Sequence, residues 1–164
     1  MDETGIKKSL EEWLENFVEV PNPKLGDWPP CPFARQARLS NKIEIKFADF
    51  PKFDHIVNQS LADLETKDVI IICFDHEKIS ANILQKYVQI ANQKLMPLNY
   101  VILEDHPDII EFINEVNMNF NKCGLLILQK LNKLNQASLQ LKSKGYYNYW
   151  TKEEIDNVVS WRHS

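Results

Sequence analysis

Six consecutive apolar residues, Val69-Ile70-Ile71-Ile72-Cys73-Phe74, constrain this chain more than any other segment. A run without alternation offers no face to water. It fits a strand covered on both sides, as in sheets sandwiched between helices. Three further strand candidates share the chain with it. Ile43-Glu44-Ile45-Lys46-Phe47 alternates and so has one wet face, and Tyr100–Leu103 and Leu125–Leu128 are short and apolar. Helical spacing separates the first two strands (Phe53, Ile56, Val57, Ser60, Leu61, Leu64). A longer helical pattern separates the next two (Ile79, Ile83, Leu84, Tyr87, Val88, Ala91, Leu95). Strands alternating with helices read as βαβ units with right-handed crossovers. The expectation is an α/β fold: a single four-stranded, mostly parallel sheet packed with helices. A ferredoxin-like α+β sandwich is the alternative.

A length of 164 residues suits one domain. Within it the sequence suggests an N-terminal helix over 4–20, a Cys-Pro-Phe loop and helix over 28–39, a β/α core over 42–130 and C-terminal helices over 131–162. Trp13, Leu14, Phe17 and Val18 form the stripe of the first helix; Ser9 with Glu12 resembles a capping box, and Pro21 and Pro23 stop the helix. Pro107 is expected to open a short helix carrying Ile109, Ile110, Phe112 and Ile113, ahead of an Asn-rich stretch over 114–121. Gly145 is a C-terminal stop, and Thr151 with Glu154 forms a capping box for the last helix.

Charge and cysteine usage narrow the function classes. A net charge of −4 disfavours a broad nucleic-acid surface, which draws its affinity from basic residues. Cys31, Cys73 and Cys123 are an odd set without paired spacing, so no disulfide framework is expected. The acidic start, Met1-Asp2-Glu3-Thr4, is unlike a signal peptide, and no apolar run approaches the roughly 18 residues of a membrane span. A soluble cytoplasmic protein is the expectation. Arg35, Arg38 and Arg162 are the only arginines, which makes their positions informative. The four glycines are scattered, so no phosphate loop or dinucleotide fingerprint exists and no cofactor is expected.

Two constellations could carry chemistry. The first lies at the strand ends: Asp49 after the first strand, Asp75-His76 after the second, and Glu104-Asp105-His106 at the end of the third. Parallel strands would bring all of these to one edge, where open α/β sheets bind ligands. Imidazoles with carboxylates suit acid–base work or a transition metal. The competing reading is structural: an Asp between strand and helix is a common N-cap, and Asp75 and Asp105 both suit that role. The second constellation is Cys31 near a helix N-terminus, with Arg35 one turn on and Arg38 beyond. A helix dipole and nearby cations favour a thiolate or a small-anion site. Here the bland alternative is an inert cysteine packed with Trp28 and Phe33. The aromatic stretch Tyr146-Tyr147-Asn148-Tyr149-Trp150 could contact a partner or cover the core.

Cys31-Pro32-Phe33-Ala34 after an amphipathic helix resembles the Leu-Cys-Pro-Phe-Ala signature of an uncharacterised bacterial family of small proteins. His106-Pro107 followed by Phe112 is similar to that family's His-Pro pair and the helix after it. Pro30 stands where the family has its leucine. The resemblance implies interest in Cys31 and His106 and supplies no reaction. A thioredoxin-like Cys-x-x-Cys is excluded, because Ala34 occupies the second cysteine position.

Two functional classes follow. In an enzyme acting on a small molecule or small anion, Cys31 would be the thiolate, assisted by Arg35. His106 would be the acid or base, oriented by Asp105 or Glu104, with Arg38, His76, Asp75, Asp49 and Trp28 available for binding. A metal-dependent variant would use His76, His106 and an aspartate. In a non-catalytic interaction module, the aromatic stretch and residues 114–121 would form the contact surface and Cys31 would be buried.

Overall fold

The apolar hexad does form a strand buried on both faces, and the computed structural model, which describes residues 1–163, shows what covers it. Strand β2 (Val69–Phe74) lies inside a four-stranded sheet with β1 (Ile43–Phe47), β3 (Tyr100–Asp105) and β6 (Gly124–Lys130), in the order β1-β2-β6-β3. Ile70, Ile72 and Phe74 face α3 (Phe53–Asp63) and α4 (Ala81–Leu95), where Phe53, Val57, Leu84 and Val88 complete the larger core. The alternate residues Ile71 and Cys73 face Leu10 of α1 (Glu3–Trp13), together with Phe120, Cys123 and Leu125. The period of two along β2 thus divides one strand between two cores.

The sheet is mixed, and the mostly parallel expectation is corrected. β1 and β2 are parallel, but β6 runs antiparallel to both β2 and β3. Since β6 opposes each neighbour, β1, β2 and β3 still run in the same sense, and their carboxyl ends share one edge. The reversal of β6 also moves Cys123. A parallel fourth strand would have put it at the far edge. Instead Gly124 pairs with Phe74, and Cys123 sits at the strand-end edge with its side chain against Cys73. A Cβ on Gly124 would fall 2.2 Å from the Phe74 ring, so only glycine lets this ring lie across β6.

The link from β3 to β6 explains the reversal. The helix expected from Pro107 does not form. Residues 112–117 make a small hairpin of β4 (Phe112–Ile113) and β5 (Val116–Asn117), and the chain returns to the edge it left. Asn114 and Glu115 have φ of 44° and 68°, the tight turn that suits the twist of a two-residue hairpin, and Asn tolerates that backbone. Ile113 and Val116 flank it, buried against Leu25.

At the N-terminus, Leu10, Leu14 and Val18 are buried at a spacing of four; the last turn, Leu14–Val18, widens to a π-turn closed by Glu19 N–H donating to Leu14 O. The cap is Asp2, which accepts from Gly5 N–H, and Ser9 lies inside the helix. Helix α2 spans Ala34–Leu39, and α5 spans Leu131–Ser143. Gly145 follows α5 with φ 85°, and Thr151 and Glu154 form the expected reciprocal cap on α6 (Lys152–Val158). A single 3₁₀ turn, Ser160–His163, follows α6. No helix among the described residues is long and apolar enough to cross a membrane.

Candidate functional site

Strand direction brings the acidic and imidazole residues to one edge. Their hydrogen bonds then show that most are engaged in holding backbone. His106 is 1% exposed. Its Nε2 lies 2.9 Å from Ile79 O and 3.2 Å from His76 O, while Nδ1 accepts from Asp108 N–H at 3.0 Å. Two carbonyls require a proton on Nε2, and a backbone donor requires a bare Nδ1. The ring is therefore neutral, with its tautomer fixed and no nitrogen left for proton transfer or a metal. The His76 ring meets it edge to face at 5.7 Å. Asp75 caps the turn His76–Lys78 by accepting from Glu77 N–H, and the exposed Asp49 carboxylate is 3.8 Å from Lys78 Nζ. Asp105 is no N-cap: its carboxylate accepts from Asn119 Nδ2 at 2.7 Å and from Phe120 N–H at 2.8 Å, tying β3 to the strand that returns. Among the described residues, no three His, Cys, Asp or Glu side chains are grouped to hold a metal ion.

Three carboxyl groups do crowd this edge. Burial raises Glu104, Asp105 and Glu111 above the ordinary carboxylate range. Hydrogen bonds from Phe120 N–H and Asn119 moderate the rise at Asp105, whereas Asp105 and Glu104 add to it at Glu111. A carboxyl whose folded pKa is raised contributes stability that is full below its unfolded value, near 4, and is lost as pH rises through the folded value. Glu111→Gln is expected to raise stability at pH 7 by about 0.5–1 kcal/mol. The gain should shrink toward pH 4; urea midpoints at the two pH values measure it. An equal gain at both would show that charge is not its source.

Cys31 lies elsewhere. It precedes the Phe33 cap of α2 by two residues, so it is not the N-cap, and Ala34 just beyond it packs on Leu14, Val18 and Ile43, where β1 begins. His106 follows the opposite end of the sheet. The expected Cys31–His106 pair is therefore not assembled. The residue is exposed as a whole, yet crowding around the thiol pushes its pKa up; Phe33 and Ala34 N–H groups oppose this, and the Glu19 carboxylate adds to it. The charged neighbour acting on the sulfur is thus an anion. Arg38 is turned to that same anion, with Nε 2.9 Å from Glu19 and Nη1 3.4 Å from Glu15, and Arg35 is exposed. Trp28 packs edge to face on Tyr146, whose hydroxyl donates to Pro30 O. Alkylation of Cys31 by iodoacetamide should accelerate steadily through pH 8–9, as for a thiol at or above the ordinary value of about 8.5. A rate plateau beginning below pH 7 would restore the thiolate.

A second concavity was not singled out by the sequence. A cleft of about 320 Å³ lies between α5 and the C-terminal turn. Leu139, Ile155 and Val159 supply its apolar walls, and Ser138, Tyr147 and Ser160 its hydroxyls. Behind Ser138 lies Arg162, 4% exposed, which donates from Nη2 to Ser138 Oγ at 2.9 Å. Burial lowers its pKa, but a guanidinium stays charged. The signal for it was Arg162 itself, a rare arginine inside an apolar helical stretch.

No protein-family model matches the chain, and neither curated proteins nor solved structures give a significant match. The likeness at Cys31–Ala34 and His106–Pro107 stays a likeness of those segments.

Proposed function

We propose that this chain is a non-catalytic binding module whose ligand is a small molecule seated between α5 and the C-terminal turn. One contrast carries the reading. The strand-end imidazole and carboxylates are engaged with backbone, whereas the cleft joins apolar walls to hydroxyl groups and a buried cation. A volume of about 320 Å³ is at the lower end for ligand sites, roughly 300–1,000 Å³. The aromatic stretch takes part through Tyr147, which lines the cleft and stacks edge to face on Trp150 at 5.0 Å. In this reading the Asp105–His106 edge is scaffold, and Cys31 is an unactivated thiol. Three free cysteines fit a reducing compartment, so the cytoplasm is the proposed location.

A mixture of small fragments, charged and neutral, added to the ¹⁵N-labelled protein tests this. Amide shifts should concentrate at Ser138, Leu139, Lys142, Tyr147 and Ser160. Shifts centred on Asp75, His76 and His106 would return the site to the strand ends, and no saturable shift anywhere would remove the cleft as a site.

A further inference from the structure

We propose that the cleft takes an amphipathic organic anion, a carboxylate or phosphate on a short apolar body, with its charged end at Ser138, which Arg162 backs from behind. The inference rests on the cleft being the ligand site and adds the chemistry of what fills it.

The argument begins with Arg162. Of its guanidinium nitrogens, Nε and Nη1 are buried without a hydrogen-bond partner, and among the described residues no carboxylate pairs with the group. Removing a charge from water is costly unless a counter-charge or a full set of hydrogen bonds replaces the solvent. One serine hydroxyl supplies neither. The other two arginines follow different rules: Arg38 is paired with two glutamates and Arg35 is exposed. Arg162 is thus, among the described residues, the one arginine that is both buried and without a counter-charge.

Ser138 connects this charge to the cleft. It is 5% exposed, lines the cleft, and its oxygen accepts from Arg162. That leaves its own proton to be donated, polarised by the guanidinium behind it, which is a donor suited to an anionic oxygen. Two more basic side chains, Lys142 and His163, line the same cleft. Among the described residues no acidic side chain lines the cleft, and Asp156, beside Ile155 in α6, already accepts from Ser160 Oγ and pairs with Lys152 at 3.4 Å. The remaining wall, Leu139, Ile155 and Val159, has no use for a bare ion and fits an apolar stem. A carboxylate and a phosphate share this chemistry, so both belong in the test.

The probes are phenylacetate, phenyl phosphate, inorganic phosphate and the neutral phenylacetamide, titrated against the full chain. The readout is the Arg162 side-chain Nε–H resonance together with the Leu139 and Lys142 amides. Phenylacetate or phenyl phosphate should bind saturably and shift the Arg162 signal, at least about tenfold tighter than phenylacetamide. Inorganic phosphate alone should bind more weakly than phenyl phosphate. Arg162→Gln should abolish the preference for the anion over the amide. Should that variant not fold, Lys142→Glu on the exposed rim should weaken anion binding several-fold more than it weakens amide binding, and an equal loss for both would overturn the anion. Equal affinity for phenylacetamide and phenylacetate would overturn the anion and keep the cleft as a neutral-ligand site. Binding of inorganic phosphate as tight as phenyl phosphate would overturn the apolar body. Anion binding that leaves every cleft resonance in place would overturn both the anion and the site.

Discussion

Replacing Asn92 with leucine is expected to cost about 2–4 kcal/mol, because it leaves two buried backbone groups of β3 without partners. β3 is an edge strand, paired on one side with β6 and open on the other. The open side of Ile102 is closed by a side chain. Asn92 on α4, 6% exposed, donates from Nδ2 to Ile102 O at 2.9 Å and accepts from Ile102 N–H at 2.8 Å. A carboxamide carries one donor and one acceptor at the spacing of a peptide group, so it stands in for the missing neighbour strand. Leucine is close in volume and returns some apolar burial, but it satisfies neither group. Asn92→Asp separates the two bonds. As a carboxylate it can accept from Ile102 N–H and cannot donate to Ile102 O, so it should be less stable than wild type at pH 7 and recover part of the loss on acidification. Urea unfolding and hydrogen exchange at the Ile102 amide measure both variants. An unchanged midpoint for Asn92→Leu would mean that the edge is solvated, not plugged.

The parts of this fold legible in the sequence are those in which a residue pattern has one physical solution. Six apolar residues in a row at Val69–Phe74 have no wet face, so both sides had to be covered. The stripes over Phe53–Leu64 and Ile79–Leu95 could only be helices lying on a sheet, and α3 and α4 are those helices. Leu125–Leu128 is different, because a short apolar strand reads the same in either direction. Its direction is set by residues 106–123, and there the deciding feature was local: Asn114 and Glu115 both turn through positive φ without a glycine to announce it. Helical spacing of Ile109, Ile110 and Ile113 pointed the other way and was overridden by Asn119, whose amide gathers this loop. The candidate site followed the same logic. Strand ends placed Asp49, Asp75, His76, Asp105 and His106 along one edge as spacing implied, but residue type alone could not show that backbone groups already occupy His106. Arg162 was visible only as a rarity, since the burial of its unpartnered nitrogens is a property of packing.

Asn119→Ala should be the most damaging single change at the strand-end edge, about 3 kcal/mol, since several buried hydrogen bonds fail together. Asn119 is 8% exposed. Its Nδ2 donates to Asp105 Oδ1 at 2.7 Å and to Ile109 O at 2.9 Å, with His106 O at 3.3 Å, and its Oδ1 accepts from Glu111 N–H at 2.9 Å. One side chain therefore fastens the end of β3, the turn after it and the start of the hairpin. Alanine removes all of these and leaves the Asp105 carboxylate with Phe120 N–H as its remaining strong donor. Loss of a donor raises the pKa of a carboxyl further, so the penalty should be largest at neutral pH and smaller in acid, where Asp105 is protonated in both folded and unfolded chains. The cleft lies against other elements, α5 and α6, and Asn119 touches none of its walls. Ligand affinity at the cleft should consequently stay within about twofold of wild type while the amides of residues 106–120 exchange faster with solvent. A large affinity loss in Asn119→Ala, with the hairpin still protected, would place the ligand at the strand ends and make this edge the working part of the molecule.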